Sequence, residues 1–87
     1  MSLTVAVQMD PIEKINIAGD STFALMLEAQ ARGHKLVYYT PDRLSLAGGK
    51  IVAQVQDATL RDVAGDHVTL SAPRRFDLAA ADVVLLR

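Results

Sequence analysis

The chain has 87 residues, no cysteine, a formal net charge of −1 and an apolar fraction of 51%. That length allows one small domain with about 60–65% of its unfolded surface buried, enough apolar content argues against disorder, and no thiolate is present to bridge, bind metal or attack. The scattered basic residues offer no nucleic-acid face, no apolar run nears the ~18 residues of a membrane helix, and Asp10 arrives too soon for a secretory signal.

Leu3 to Gln8 is an apolar, β-branched run and reads as a buried first strand. Pro11 lacks an amide donor and ends any ladder there. The segment Met9 to Ser21 that follows is longer than most strand-to-helix connections, and long loops tend to be functional. Its isoleucines, Ile15 and Ile17, flank Asn16 and can pin the backbone while polar side chains project into a cleft. Asp20 or Ser21 supplies an oxygen for a helix N-cap. From Thr22 the apolar residues Phe23, Met26, Leu27 and Ala31 recur at helical spacing, and Gly33 stands where a left-handed C-cap is expected. Leu36 to Thr40 forms the second strand, stopped by Pro41. Strand, helix and strand within about forty residues make a βαβ unit with parallel strands and a right-handed crossover.

The middle follows another rule. Leu44–Ala47 and Ile51–Val55 flank Gly48-Gly49, a hairpin signal, and Gly65-Asp66 marks a further turn before a short strand from His67 to Leu70. Pro73 to Arg75 reads as loop, Phe76 to Ala81 as a helical turn, and Asp82 to Leu86 as a buried strand. No repeat, linker or low-complexity segment interrupts the chain. The fold class is therefore α/β: a small Rossmann-like domain with a parallel βαβ unit and an inserted β-hairpin. Parallel strands buried on both faces need cover on both sides, and one good helix is offered. The expectation is one domain over residues 1–87, the first part of a longer protein, whose bare apolar surface invites self-association into a homo-oligomer.

Ligands of open α/β sheets bind beyond the carboxyl ends of the strands. Asp10 follows the first strand, Thr40 the second and Arg87 the last, while Asn16, Ser21 and Thr22 lie on the long loop and the helix start. Each has a plainer reading. Asp10 before Pro11 can simply start a turn, Asp20 and Ser21 can simply cap, and Arg87 can be a solvated tail. Asn16 between two isoleucines is harder to explain as filler. Other motifs fail: around Gly49-Lys50 the phosphate-loop spacing needs Gly and Ser or Thr where Leu44 and Ile51 stand. No dinucleotide fingerprint and no hydrolase elbow exist, and His34 and His67, isolated from further ligands, read as surface imidazoles.

The words Met9-Asp10-Pro11-Ile12, Ile15-Asn16-Ile17, Asp20-Ser21-Thr22-Phe23-Ala24 and Glu28-Ala29-Gln30-Ala31-Arg32-Gly33-His34 occur in order in one short window. Together they resemble the opening of bacterial glutathione synthetase, an ATP-grasp ligase. The likeness is dense over residues 9–34, thinner from 35 to 81, and returns at Asp82-Val83-Val84-Leu85-Leu86-Arg87. It implies a pre-ATP-grasp domain of a cytoplasmic enzyme that joins γ-glutamylcysteine to glycine, with ATP converted to ADP and phosphate and Mg2+ neutralising the phosphates. It places the ATP and Mg2+ groups in later ATP-grasp domains outside residues 1–87, so this chain alone is expected to bind neither and to be inactive. Its share would be the substrate-side wall, with Asp10, Asn16, Ser21 and Arg87 orienting the peptide, and no catalytic or metal residue of its own. In the family the last strand runs on into Arg-x-Asp-Pro-Pro-Phe. A stand-alone flavodoxin-like binding or signalling module is the other reading. A receiver-type site would want an acidic pair after the first strand, where only Asp10 stands.

Overall fold

A computed structural model describes residues 2–86. Five strands follow the order β3-β4-β2-β1-β7, with β1 at Thr4–Gln8, β2 at Lys35–Tyr39, β3 at Leu44–Ala47, β4 at Lys50–Leu60 and β7 at Val83–Leu86. Two further strands, β5 (Val68–Leu70) and β6 (Arg74–Asp77), pair with β4 off that path. β1 pairs in parallel with β2 on one side and β7 on the other, while β4 runs antiparallel to β2. This is a mixed α/β, Rossmann-like sheet with the parallel βαβ unit that the sequence implies.

The single α-helix among the described residues, α1 (Ser21–Ala31), is set by its two ends. Asp20 is the N-cap, its carboxylate accepting from the Phe23 amide at 2.8 Å. At the other end the Gly33 amide donates to Gln30 and the His34 amide to Ala29, with Gly33 at φ +83°, a Schellman closure that needs glycine's freedom. Phe23 and Met26 face inward. Gln30 ties the helix to the end of β4 through two bonds with the Leu60 backbone, donating to its carbonyl at 2.9 Å and accepting from its amide at 2.7 Å.

Alternation along the parallel strands sorts the core into two layers. Val5, Val7, Leu36 and Tyr38 face α1 and the loop after β1, with Met9, Ile12, Phe23 and Met26. Ala6, Val37 and Tyr39 face the other way and meet Ala53 and Val55, with Phe76, Leu78 and Ala81 packed against them. The second face is thus closed by the chain's own β-layer, where a bare apolar surface was expected.

Several local expectations are corrected. The strand expected to stop at Val55 continues to Leu60, because it serves four partners: β3 and β6 along its first half, β2 and β5 along its second. Arg74 and Arg75, read as loop, belong to β6, where Arg74 pairs opposite Val55 and its guanidinium meets the Asp57 carboxylate at 3.0 Å. Phe76 and Asp77 are strand as well, so the expected helical turn shrinks to a 3-10 turn at Leu78–Ala80. β7, read as buried, is partly bare: Val83, Val84 and Leu86 are 38%, 41% and 73% exposed, since β1 is its neighbour on one edge and nothing among the described residues pairs with the other. The Gly48-Gly49 hairpin stands as expected, with φ of +58° and +79°, the geometry of a type I′ turn.

Candidate functional site

The carboxyl ends of β1 and β2 open into a cleft of about 380 Å³. One wall is the segment after β1, through Asp10, Pro11 and Glu13; the opposite wall is the start of the β2–β3 connection, through Thr40, Asp42 and Arg43. Its floor comes from the sheet: Tyr38 and Gln56 sit directly opposite each other across β2 and β4, and Gln54 lies two residues along on the same face.

The first wall is held firmly. The Met9 amide donates to the Tyr39 carbonyl at 3.2 Å, extending the ladder past the end of β1. Met9 and Ile12 are fully buried. The Ile12 amide donates to the Tyr38 hydroxyl at 3.1 Å, and the Ile12 carbonyl lies 2.6 Å from Nε2 of His67. Asp10 and Glu13 on either side of this anchor are exposed.

The groups of the cleft differ in charge and in proton affinity. Asp10, Glu13 and Asp42 outnumber Arg43, so the cleft leans acidic. The Tyr38 phenol is held above its ordinary pKa, first by burial and then by the Glu13 and Asp42 carboxylates, against the opposing pull of the Ile12 amide and Arg43. It therefore stays protonated at neutral pH, and because its oxygen accepts from Ile12 it retains an O–H donor. Asp42 is pushed the other way, chiefly by a hydrogen bond from the Thr40 side chain, and is a carboxylate at any ordinary pH. Among the described residues no three His, Asp or Glu side chains gather to hold a metal ion.

Of the four residues singled out from the sequence, Asp10 lines the cleft. Asn16 is exposed on the next turn, its side-chain oxygen accepting from the Ala18 amide at 3.1 Å and capping the 3-10 turn Ile17–Gly19. Ser21 is exposed at the first position of α1, and neither it nor Asn16 lines the cleft. Arg87 lies outside the described residues, although Leu86 pairs with Gln8, so the end of β7 runs beside the end of β1. Sequence reasoning missed Tyr38, Gln54 and Gln56. The alternation of Gln54 and Gln56 was a readable signal, but the face they share with Tyr38 becomes clear only from the pairing of β2 with β4. It also took His67 for a surface imidazole; the residue is 5% exposed, because its ring lies edge-on to Phe23 at 5.6 Å and beneath the Ile12 carbonyl.

A parallel βαβ core with a polar cleft at its carboxyl edge defines a Rossmann-like α/β domain. The comparisons narrow this. The family described as prokaryotic glutathione synthetase, N-terminal domain, matches residues 3–87, and the chain belongs to that family. It is 64% identical over its whole length to the glutathione synthetase of Rhodopseudomonas palustris and 66% identical to that of Bradyrhizobium diazoefficiens. Against the glutathione synthetase of Xanthomonas campestris pv. campestris the identity is 48%, again over all 87 residues. In each case the chain spans 28% of the relative's length.

Proposed function

We propose that this domain forms the peptide-substrate side of the site in a longer glutathione synthetase, which ligates γ-glutamylcysteine to glycine as ATP becomes ADP and phosphate. The observation that carries the reading is the cleft at the carboxyl ends of β1 and β2, with one wall anchored through Ile12 at both its amide and its carbonyl. γ-Glutamylcysteine brings an ammonium group and two carboxylates. An acidic rim of Asp10, Glu13 and Asp42 suits the first, while Arg43, the Tyr38 hydroxyl and the Gln54 and Gln56 amides offer donors to the others.

The contribution is positional: the domain holds the peptide so that its reacting carboxylate is presented in one orientation. Asn16, Ser21 and Arg87 belong to the same proposal as a second set of contacts, the first two next along the loop and at the start of α1, the third the residue after Leu86 in sequence. ATP and Mg2+ are assigned to the rest of the longer protein, as are the ATP-grasp domains. A cytoplasmic location and a homo-oligomeric assembly are part of the same reading.

The test is steady-state kinetics of the full-length protein. Asp10→Asn should raise the Michaelis constant for γ-glutamylcysteine about tenfold, the cost of a weakened bond to a charged group, and leave that for ATP unchanged. An unchanged peptide constant for Asp10→Asn, with Asn16→Ala and Ser21→Ala equally silent, would remove this domain from the peptide site.

A further inference from the structure

The structure assigns His67 a role beyond the packing of the core: we propose that it is a positioning residue, whose imidazole fixes the cleft wall formed by Asp10, Pro11 and Glu13. The proposal rests on the reading of that cleft as the peptide site.

His67 stands just before β5 and is 5% exposed. Its Nε2 lies 2.6 Å from the carbonyl oxygen of Ile12, 55 residues earlier in the chain. A carbonyl only accepts, so Nε2 carries the hydrogen. Nδ1 is buried and has no hydrogen-bond partner among the described residues. Packing alone does not explain that choice. The ring's neighbour is the Phe23 ring, edge-on at 5.6 Å and 78°, and a leucine or phenylalanine would fill such a place without burying an unpartnered nitrogen. What the histidine adds is the bond to Ile12.

Ile12 is the hinge pin of the wall. Its side chain is fully buried, its amide donates to Tyr38 on β2, and its carbonyl receives His67 from the β4–β5 connection. The same carbonyl also accepts the Ile15 amide at 3.5 Å, a long bond that closes the 3-10 turn Ile12–Lys14. The Ile12 backbone is thus gripped from one strand and one connection, both remote in sequence, while Asp10 and Glu13 on either side remain exposed to the cleft. Without the His67 bond the turn retains its long local bond and the buried side chain, so the wall should loosen without the domain unfolding. Small displacements of binding groups are enough to cost substantial activity.

The experiment uses the full-length protein with His67→Leu, which removes the donor, and His67→Gln, whose side-chain amide restores one. For His67→Leu, amide hydrogen exchange should quicken in residues 10–20 and stay as in the parent in β1 and β2. The Michaelis constant for γ-glutamylcysteine should rise about tenfold while that for ATP holds, and His67→Gln should recover part of both effects. Unchanged exchange in residues 10–20 would overturn the proposal, as would an equal loss in every kinetic constant with no recovery by glutamine. Faster exchange with an unaltered peptide constant would leave the grip on Ile12 standing and sink the peptide-site reading instead. Should His67→Leu fail to fold, nitrogen NMR of the unmutated protein decides. A slowly exchanging proton on Nε2 of His67 is expected, and a proton on Nδ1 alone would rule the bond out.

Discussion

The segment joining β1 to α1 and the hairpin joining β3 to β4 both carry large aliphatic residues, and the fold treats them in opposite ways. In the first, Met9 and Ile12 are fully buried and the backbone is held by Tyr38 and His67, partners 26 and 55 residues away from Ile12. In the second, Leu46 is 76% and Ile51 55% exposed, although they face each other across the strands. The hairpin closes by local chemistry, two glycines with positive φ, and needs no help from the core. A connection that must present side chains in fixed places is instead fastened by contacts remote in sequence. The candidate site lies on the fastened one.

The sharpest way to break this contrast is a matched pair of truncations. Ile12→Ala should destabilise the chain by about 2–5 kcal/mol, through lost burial and the cavity left beneath the loop. Ile51→Ala, the same chemistry on an exposed strand, should fall within about 0.5 kcal/mol of the parent. Urea midpoints at one protein concentration would measure both, and similar values for the two would dissolve the distinction.

The contrast also explains what the sequence made legible. The βαβ half is written in local signals: Pro11 and Pro41 end strands, Asp20 caps α1 and Gly33 closes it, and each acts within a few residues of itself. The far half depends on partners. Arg74-Arg75 after Pro73 looks like a solvated turn until Asp57 on β4 neutralises the first arginine and the β4 ladder absorbs both. β4 itself reads as five residues because Gln56 and Asp57 break its apolar run after Val55. Its full length follows from the four strands it serves. Within the site the same division holds: Asp10 was visible as the residue after a strand, whereas Tyr38, Gln56 and His67 were recognisable only once strand pairing and a 55-residue contact were known.

A smaller effect tests the fastening at its far end. Asp20 is buried and caps α1 at the point where the loop becomes helix. Asp20→Ala should cost about 1 kcal/mol, in the usual range for a lost N-cap, and Asp20→Asn, which keeps an acceptor oxygen, should recover most of it. Thermal or urea unfolding would show the ordering. An alanine variant as stable as the parent would mean that the loop, rather than its cap, sets where α1 begins.

Between β4 and β6 electrostatics contribute less. The Asp57 carboxyl is held below its usual range, first by the hydrogen bond from Arg74 and then by the charges of Arg74 and Lys35, against the opposing effect of burial. A depressed value in the folded state means that the unfolded chain takes up this proton first. The stabilisation is therefore full above the unfolded pKa of about 3.9 and disappears as pH falls through the lower folded value. Both side chains are about two-fifths exposed, at 43% for Asp57 and 41% for Arg74, so solvent limits the gain to about 0.5 kcal/mol. Arg74→Ala should accordingly sit about that far below the parent at pH 7, beyond any constant loss from its contact with Phe76 at 5.4 Å. The gap should narrow below about pH 4. A gap that stays constant with pH would assign the whole effect to packing.

The smallest expected change is the most informative about the hairpin. Leu46 projects from β3 opposite Ile51, with Leu44, itself 36% exposed, on the same face of β3. If that face meets only water, Leu46→Ser removes little buried area and should alter stability by no more than about 0.5 kcal/mol. If a second copy of the chain covers it, the serine should weaken the association, and the parent's unfolding midpoint should rise with protein concentration while the variant's does not. Unfolding curves at two concentrations, read beside light scattering, separate these cases. A loss well above 1 kcal/mol that is independent of concentration would fit neither: it would show that Leu46 is anchored within its own chain, and the two connections would then be built by the same rule.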